Sequence, residues 1–167
     1  MRAYFAGGCF WCITPVFKIY GADSVVCGYS GGEEKEPTYK DVKSQKTGHR
    51  ETVMVEYDPE KVTYDRLLDI YLANIDPYDD GGQFIDRGHS YTLAVYYSTS
   101  DEKEKVLSRI RELERQSGRK TCIAVEPFAF FWPAENEHQD YYLKEPEAFE
   151  KEMRESGRKK IRWHSHT

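Results

Sequence analysis

No run of apolar residues in this 167-residue chain approaches the length that crosses a bilayer, and its first residues lack the basic-then-apolar pattern of an export signal. The expectation is a cytoplasmic protein with no membrane partner. Positive charge is short as well: 24 Lys and Arg stand against 29 Asp and Glu, a formal net charge of −5. That balance leaves no broad basic footprint for nucleic acid. Cysteine is scarce, at positions 9, 12, 27 and 122. In a reducing compartment four thiols do not make a disulfide framework, so their chemistry becomes the question. Internal repeats and low-complexity tracts are absent too.

Charged residues make up 32% of the chain and hydrophobic ones 39%, the balance of a globular protein. A single domain is expected over residues 1–167, able to bury roughly 70% of its unfolded surface. Lys151, Arg154, Arg158, Lys159, Lys160 and Arg162 crowd the end, and residues 156–167 read as a solvated basic tail. Aromatics reach 14%, with 13 tyrosines, most of them expected as half-buried strand residues.

Residues 2–6 read as a strand running into Gly7-Gly8 and then Cys9-Phe10-Trp11-Cys12. A helix follows to about Tyr20 and ends at Gly21, with Thr14-Pro15 resembling an N-cap and first helical residue. Cys9 would then lie on the first turn or just before it. Strands are expected over 24–29, 51–57, 91–97 and 122–126, and helices over 62–75, 101–116, 138–143 and 146–154. Residues 33–50, 76–90 and 127–136 read as loops. The alternation of these elements predicts an α+β domain, a two-layer α/β sandwich whose mixed sheet carries packed helices on a ferredoxin-like core.

Chemistry concentrates at Cys9. A thiolate is the nucleophilic form of cysteine, and the N–H groups at the start of a helix stabilise it. Gly7-Gly8 leaves room for a substrate beside it. Cys12, three residues on, falls on the same face. The pair can be a redox couple, half a metal site, or an active thiol beside a bystander. A zinc site needs two more ligands at sensible spacing, and His164 and His166 do not supply a recognisable second half, so no metal and no cofactor are expected. Phe10 and Trp11 offer rings either for a small alkyl group or for anchoring the helix.

Gly8-Cys9-Phe10-Trp11 after a short strand resembles the signature of the methionine sulfoxide reductase A family. Further blocks follow in order: Gly28-Tyr29-Ser30-Gly31-Gly32, Pro37-Thr38-Tyr39, Thr47-Gly48-His49-Arg50-Glu51, Asp86-Arg87-Gly88 with Tyr91, and Phe131-Trp132-Pro133-Ala134-Glu135 with His138-Gln139-Asp140-Tyr141. The resemblance implies thiol-dependent reduction of the S epimer of methionine sulfoxide, free or in oxidised proteins, with thioredoxin or another thiol as reductant. It implies Cys9 as the nucleophile that becomes a sulfenic acid, Glu51 as proton donor to the sulfoxide oxygen, Tyr39 and Tyr91 as hydrogen-bond donors, Phe10 and Trp11 around the methyl group, and Asp86 on the polar side. On residue type alone Glu51 would be an exposed strand-end carboxylate.

The chain departs from that pattern in two places. Many members resolve the sulfenic acid with a cysteine near a glycine-rich C-terminus, and here no cysteine follows Cys122. Cys12 stands where the family commonly has glycine and is the candidate resolving residue, while Cys27 and Cys122 sit among apolar strand residues. The second departure is His89-Ser90 and Thr92-Leu93 around Tyr91. Two rivals remain open on the residues: a thioredoxin-like disulfide oxidoreductase, suggested by C-x-x-C after a strand, and a non-catalytic metal- or peptide-binding module.

Overall fold

The computed structural model describes residues 1–158. Most of the expected basic tail, including Lys159, Lys160 and Arg162, lies outside the described residues, as do His164 and His166. Strand β1 (Arg2–Gly7) leads into helix α1 (Phe10–Ile19), followed by β2 (Ser24–Ser30), a short α2 (Tyr39–Lys43) and β3 (Arg50–Glu56). Helix α3 (Tyr64–Ala73) precedes a small hairpin of β4 (Gly82–Gln83) and β5 (Asp86–Arg87). Then come β6 (Leu93–Tyr97), α4 (Ser100–Ser117), β7 (Ile123–Pro127), β8 (Trp132–Pro133), α5 (Tyr141–Lys144) and α6 (Pro146–Glu155).

The main sheet has the order β7-β6-β1-β3-β2-β8. Strand β3 is inserted between β1 and β2 and runs antiparallel to both, and β6 pairs antiparallel with the other edge of β1. The run β1-α1-β2-β3-α3-β6 is therefore the split βαβ arrangement of a ferredoxin-like core, extended by a parallel β7 and a short β8. The expected α+β class holds.

Strand alternation divides the core between two faces. Ala3 and Phe5 of β1 join Val53, Val55, Phe17, Leu67 and Tyr71 under the helices. Tyr4 and Ala6 face the other way with Ala94 and Tyr96, where Phe128 and Phe131 cover them. Tyr4 stacks on Phe128 with ring centroids 3.9 Å apart. The segment after β7, expected as an aromatic loop, thus closes the second face of the sheet and contributes the edge strand β8.

Several boundaries differ from the sequence expectation. Helix α1 begins at Phe10, so Thr14-Pro15 lies inside it. Proline removes an N–H and crowds the carbonyl four residues back, yet packing of Phe10, Ile13 and Phe17 in the core holds the helix continuous through it. Thr14 uses its hydroxyl on the Phe10 carbonyl at 2.7 Å instead of capping. The C-terminal end matches: Ala22 N–H reaches Phe17 O and Gly21 N–H reaches Lys18 O, a Schellman closure with Gly21 at φ 105°. Residues 33–50 contain α2, stabilised by a reciprocal Thr38–Asp41 capping box. Tyr91 ends a single 3₁₀ turn (His89–Tyr91) rather than opening a strand. The expected solvated tail also needs correction, since Ser156 is buried and Arg158 half-buried against the body of the protein.

Tyr71 of α3 fixes the end of β1 on which the cysteines depend. Its ring stacks on Phe5 at 5.1 Å and its hydroxyl donates to Ala6 O at 2.6 Å. Tyr71→Phe keeps the packing and loses a buried donor, so stability should fall by about 1–2 kcal/mol. Urea unfolding would show this as a lower midpoint at unchanged slope; an unchanged midpoint would mean that this hydroxyl contributes nothing net.

Candidate active site

Cys9 is the N-cap of α1, held at the mouth of the sheet by the preceding Gly7-Gly8. The two possibilities left open by sequence resolve to the turn just before the helix. Its side chain makes no capping hydrogen bond. The first free helical N–H, that of Phe10, donates instead to Glu51 Oε1 at 3.1 Å. The register that pairs Phe5 with Val53 carries the start of β3 level with the end of β1, and Glu51 sits there opposite Tyr29 of β2. A residue that reads as an exposed strand-end carboxylate is 1% exposed.

Burial dominates the chemistry of Glu51. Removal from water raises its pKa to about 8, the Phe10 N–H opposes that shift, and Asp86 and Cys12 add to it. At neutral pH the protonated acid therefore predominates, and a neutral acid can donate.

The thiols behave differently from the sequence expectation. Cys9 is only 5% exposed and Cys12 1%. The Cys9 thiol is pushed up because it hydrogen-bonds to the Cys12 side chain, because it is buried, and because Cys12, Glu51 and Asp86, once ionised, would repel its anion. Cys12 is lowered, first by the hydrogen bond from Cys9 and further by the Arg158 charge. The two sulfurs titrate as one unit: the first proton lost leaves an anion on Cys12 held by the Cys9 thiol. The helix start does not create a free Cys9 thiolate, since its N–H is taken by Glu51.

An aromatic wall completes the site. Phe10 lies 5.9 Å from Tyr29 and 6.3 Å from Tyr39, and Trp11 stacks on Tyr141 at 4.1 Å. His138 packs on Tyr39 at 4.2 Å. Tyr39 and Tyr91 both have pKa values raised by burial and then by Glu51, with Cys9 and Asp86 acting on each, so their hydroxyls stay protonated donors around the same center. Asp86, from β5, is half-buried with Oδ2 unpaired and its pKa raised chiefly by burial. All eight residues singled out from sequence thus converge: Cys9, Phe10, Trp11, Cys12, Tyr39, Glu51, Asp86 and Tyr91.

Sequence reasoning passed over the supports. Glu135 accepts from Tyr29 Oη at 2.9 Å and from Tyr39 N at 3.0 Å, which ties α2 and β2 to the segment just after β8. Gln139 pairs with both N–H and C=O of Cys27, each at 2.8 Å. Their only advance signal was membership of a family block. Cys27 is a core thiol, pushed up to about 12 by burial. Among the described residues the group with metal-ligand spacing is Glu135, Glu137 and His138, and it includes neither Cys9 nor Cys12.

A buried acid, two tyrosine donors and a coupled thiol pair define a thiol-dependent reductase able to attack an electrophilic center while protonating its oxygen. The family model for peptide methionine sulfoxide reductase matches residues 1–167. The chain is 44% identical over 160 residues to the peptide methionine sulfoxide reductase MsrA 2 of Staphylococcus aureus, covering 94% of this chain and 90% of that one. Identity to MsrA of Halalkalibacterium halodurans is also 44%, over 161 residues, 94% of this chain and 91% of the relative. Among solved structures, reduced Mxr1 of Saccharomyces cerevisiae superposes with a TM-score of 0.83 at 26% identity, over 88% of this chain and 86% of that one. Methionine sulfoxide reductase A of Corynebacterium diphtheriae gives 0.79 at 28% identity, over 87% and 74%. The chain belongs to the peptide methionine sulfoxide reductase family, and its activity is the reduction of methionine sulfoxide.

The Glu51 environment has a consequence for stability. In the unfolded chain the carboxyl ionises near 4.5, whereas the folded protein keeps its proton to about 8. Between those values the native state binds more protons, so rising pH destabilises it, by at most about 1.4 kcal/mol per pH unit from this group. Glu51→Gln lacks the proton but keeps an acceptor for Phe10 N–H. Its stability relative to wild type should climb from pH 5 to pH 8 and then level off in urea titrations. A constant offset across that range would show that Glu51 is not held neutral.

Proposed function

We propose that the protein reduces the S epimer of methionine sulfoxide, free or within oxidised proteins, with Cys9 as nucleophile, Glu51 as acid and Cys12 as resolving thiol. The observation that carries this reading is the buried, protonated Glu51 bonded to the N–H adjoining Cys9. The substrate sulfur is attacked by Cys9 while Glu51 gives its proton to the sulfoxide oxygen, with Tyr39 and Tyr91 donating to the same atom as charge develops. The Cys9 proton has two places to go: the Cys12 sulfur, and the Glu51 carboxylate once it has donated. Methionine leaves, and Cys9 keeps the oxygen as a sulfenic acid.

Phe10 and Trp11 offer ring surface to the substrate methyl group, and the unpaired Asp86 Oδ2 takes the polar side, directly or through water. Cys12 then attacks the Cys9 sulfur: the S–S bond forms, the S–O bond breaks, and the hydroxyl departs with a proton as water. A dithiol such as thioredoxin returns the pair to the reduced state by exchange. One reductase domain suffices for this cycle. The described helices include none long and apolar enough to cross a membrane. The cytoplasm, where such reductants are kept, is the proposed setting.

With separated epimers and dithiothreitol, Cys9→Ser should abolish turnover and Glu51→Gln should lower kcat/KM by about 10²–10⁴, with wild type acting on the S epimer alone. Activity in Cys9→Ser, or equal use of both epimers, would overturn the assignment. After one turnover without reductant, mass spectrometry should find Cys9 linked to Cys12; a lasting sulfenic acid on Cys9 with Cys12 free would reject the resolving role.

A further inference from the structure

We infer that Arg158, carried past the end of α6 onto the Gly7–Gly8 backbone, is a positioning residue that keeps positive charge beside Cys12 and thereby speeds its attack on oxidised Cys9. The inference rests on the reading of Cys12 as resolving thiol. Its starting point is the unexpected placement of a residue whose composition suggests solvated tail. Arg158 Nη2 donates to Gly7 O at 2.7 Å and Nη1 to Asn74 O at 3.1 Å, joining the end of β1 to the C-cap of α3. The guanidinium also lies over the Phe84 ring at 4.9 Å. Contact with position 8 is close enough that a Cβ there would come within 2.6 Å of Nη2. Ser156 anchors the approach, its carbonyl accepting from Ile85 N–H at 3.1 Å.

Among the described residues the hydrogen bonds of this cation go to neutral carbonyls and to no carboxylate, while its charge acts on Asp86 as well as on Cys12. The groups that act on Cys12 are Cys9, Asp86 of β5 and Glu152 of α6, together with Arg158 itself, and Glu51 of β3 is held neutral nearby, in part by Cys12. Asp86 and Glu152 disfavour a sulfur anion on Cys12, and Arg158 is the opposing charge among these groups. Arg158 lowers the Cys12 thiol, and the resolving step needs a thiolate there. The step balances without another reagent: the Cys12 thiolate supplies the electron pair for the S–S bond, the S–O bond of Cys9 breaks, and the hydroxide takes up the proton that the Cys12 thiol released and departs as water.

The effect on rate is smaller than the effect on thiolate population. A thiolate made scarcer by a higher pKa is also more nucleophilic, so each tenfold loss of anion slows attack by only about threefold. A purely structural clamp would move neither quantity in a pH-dependent way. Charge and clamp are separated by two substitutions in the full chain, Arg158→Gln and Arg158→Lys.

In a Cys9→Ser background, the pH dependence of iodoacetamide labelling of the Cys12 peptide, read by mass spectrometry, reports the Cys12 thiolate. Arg158→Gln should move the midpoint to higher pH and Arg158→Lys should restore most of the shift. In proteins with both cysteines, one equivalent of methionine sulfoxide should give a ratio of disulfide formation to methionine release that falls severalfold in Arg158→Gln and recovers in Arg158→Lys. An unmoved labelling midpoint would overturn the inference while leaving a Cys9–Cys12 disulfide, and hence the resolving role, intact. A moved midpoint with no disulfide in wild type would instead remove the resolving role and the inference with it. Failure of Arg158→Lys to restore either readout would make Arg158 a clamp and not a charge.

Discussion

The hydrogen bond from Phe10 N–H to the Glu51 carboxyl joins the first turn of a helix to the first residues of a strand 41 positions away, and much else follows from it. It requires that β3 lie beside β1, which the split order of the sheet provides. It requires that α1 start at Phe10, which core packing enforces in spite of Pro15. A carboxylate in so dry a position would lose most of its hydration, and one N–H does not replace it. The acid therefore keeps its proton, and a residue suited to donating at neutral pH results from burial alone. The same bond uses the helical N–H that would otherwise have stabilised a Cys9 thiolate, which leaves Cys9 a thiol whose partner is Cys12.

The aromatic wall is built by segments distant from the cysteines in sequence. Tyr39 reaches it because Thr38 and Asp41 cap the helix it begins, and because Glu135 accepts from its backbone N–H. Glu135 in turn holds the Tyr29 hydroxyl. One carboxylate thus ties α2 to β2, and Gln139 fastens the same region by matching the Cys27 peptide group as a neighbouring strand would. These bonds fix ring positions, and among the described residues the buried Trp11 indole N–H has no hydrogen-bond partner.

The central elements were legible in the sequence for a simple reason: β3 alternates, with Val53 and Val55 buried and Met54 and Glu56 less so, and α3 repeats its buried apolar residues at helical spacing. Thr14-Pro15 misled because a good capping pair is a local signal, and tertiary packing of Phe10 and Ile13 outweighed it. Helix α2 escaped notice because five residues carry too little periodicity. Glu51 illustrates the limit most clearly. Nothing local distinguishes it from a surface carboxylate; its environment comes from Phe10, Asp86 and the tyrosines, which only the fold brings near. The family resemblance identified it by position, and the physical cause became visible only with the geometry.

Charge at the thiol pair is unevenly distributed, and that asymmetry suits two consecutive reactions. Cys9 is surrounded by groups that disfavour its anion, and a neutral acid, Glu51, is bonded to the N–H that follows it. Cys12 shares the burial but has Arg158 acting on it. A site in which both thiols were strongly ionised would repel its own charges and oppose Glu51 as a donor. A site in which neither ionised would leave no nucleophile after the first step. With the acid bonded beside Cys9 and the cation acting on Cys12, one buried pocket accommodates both, and the segment after α6 that carries Arg158 lies against the turn before α1.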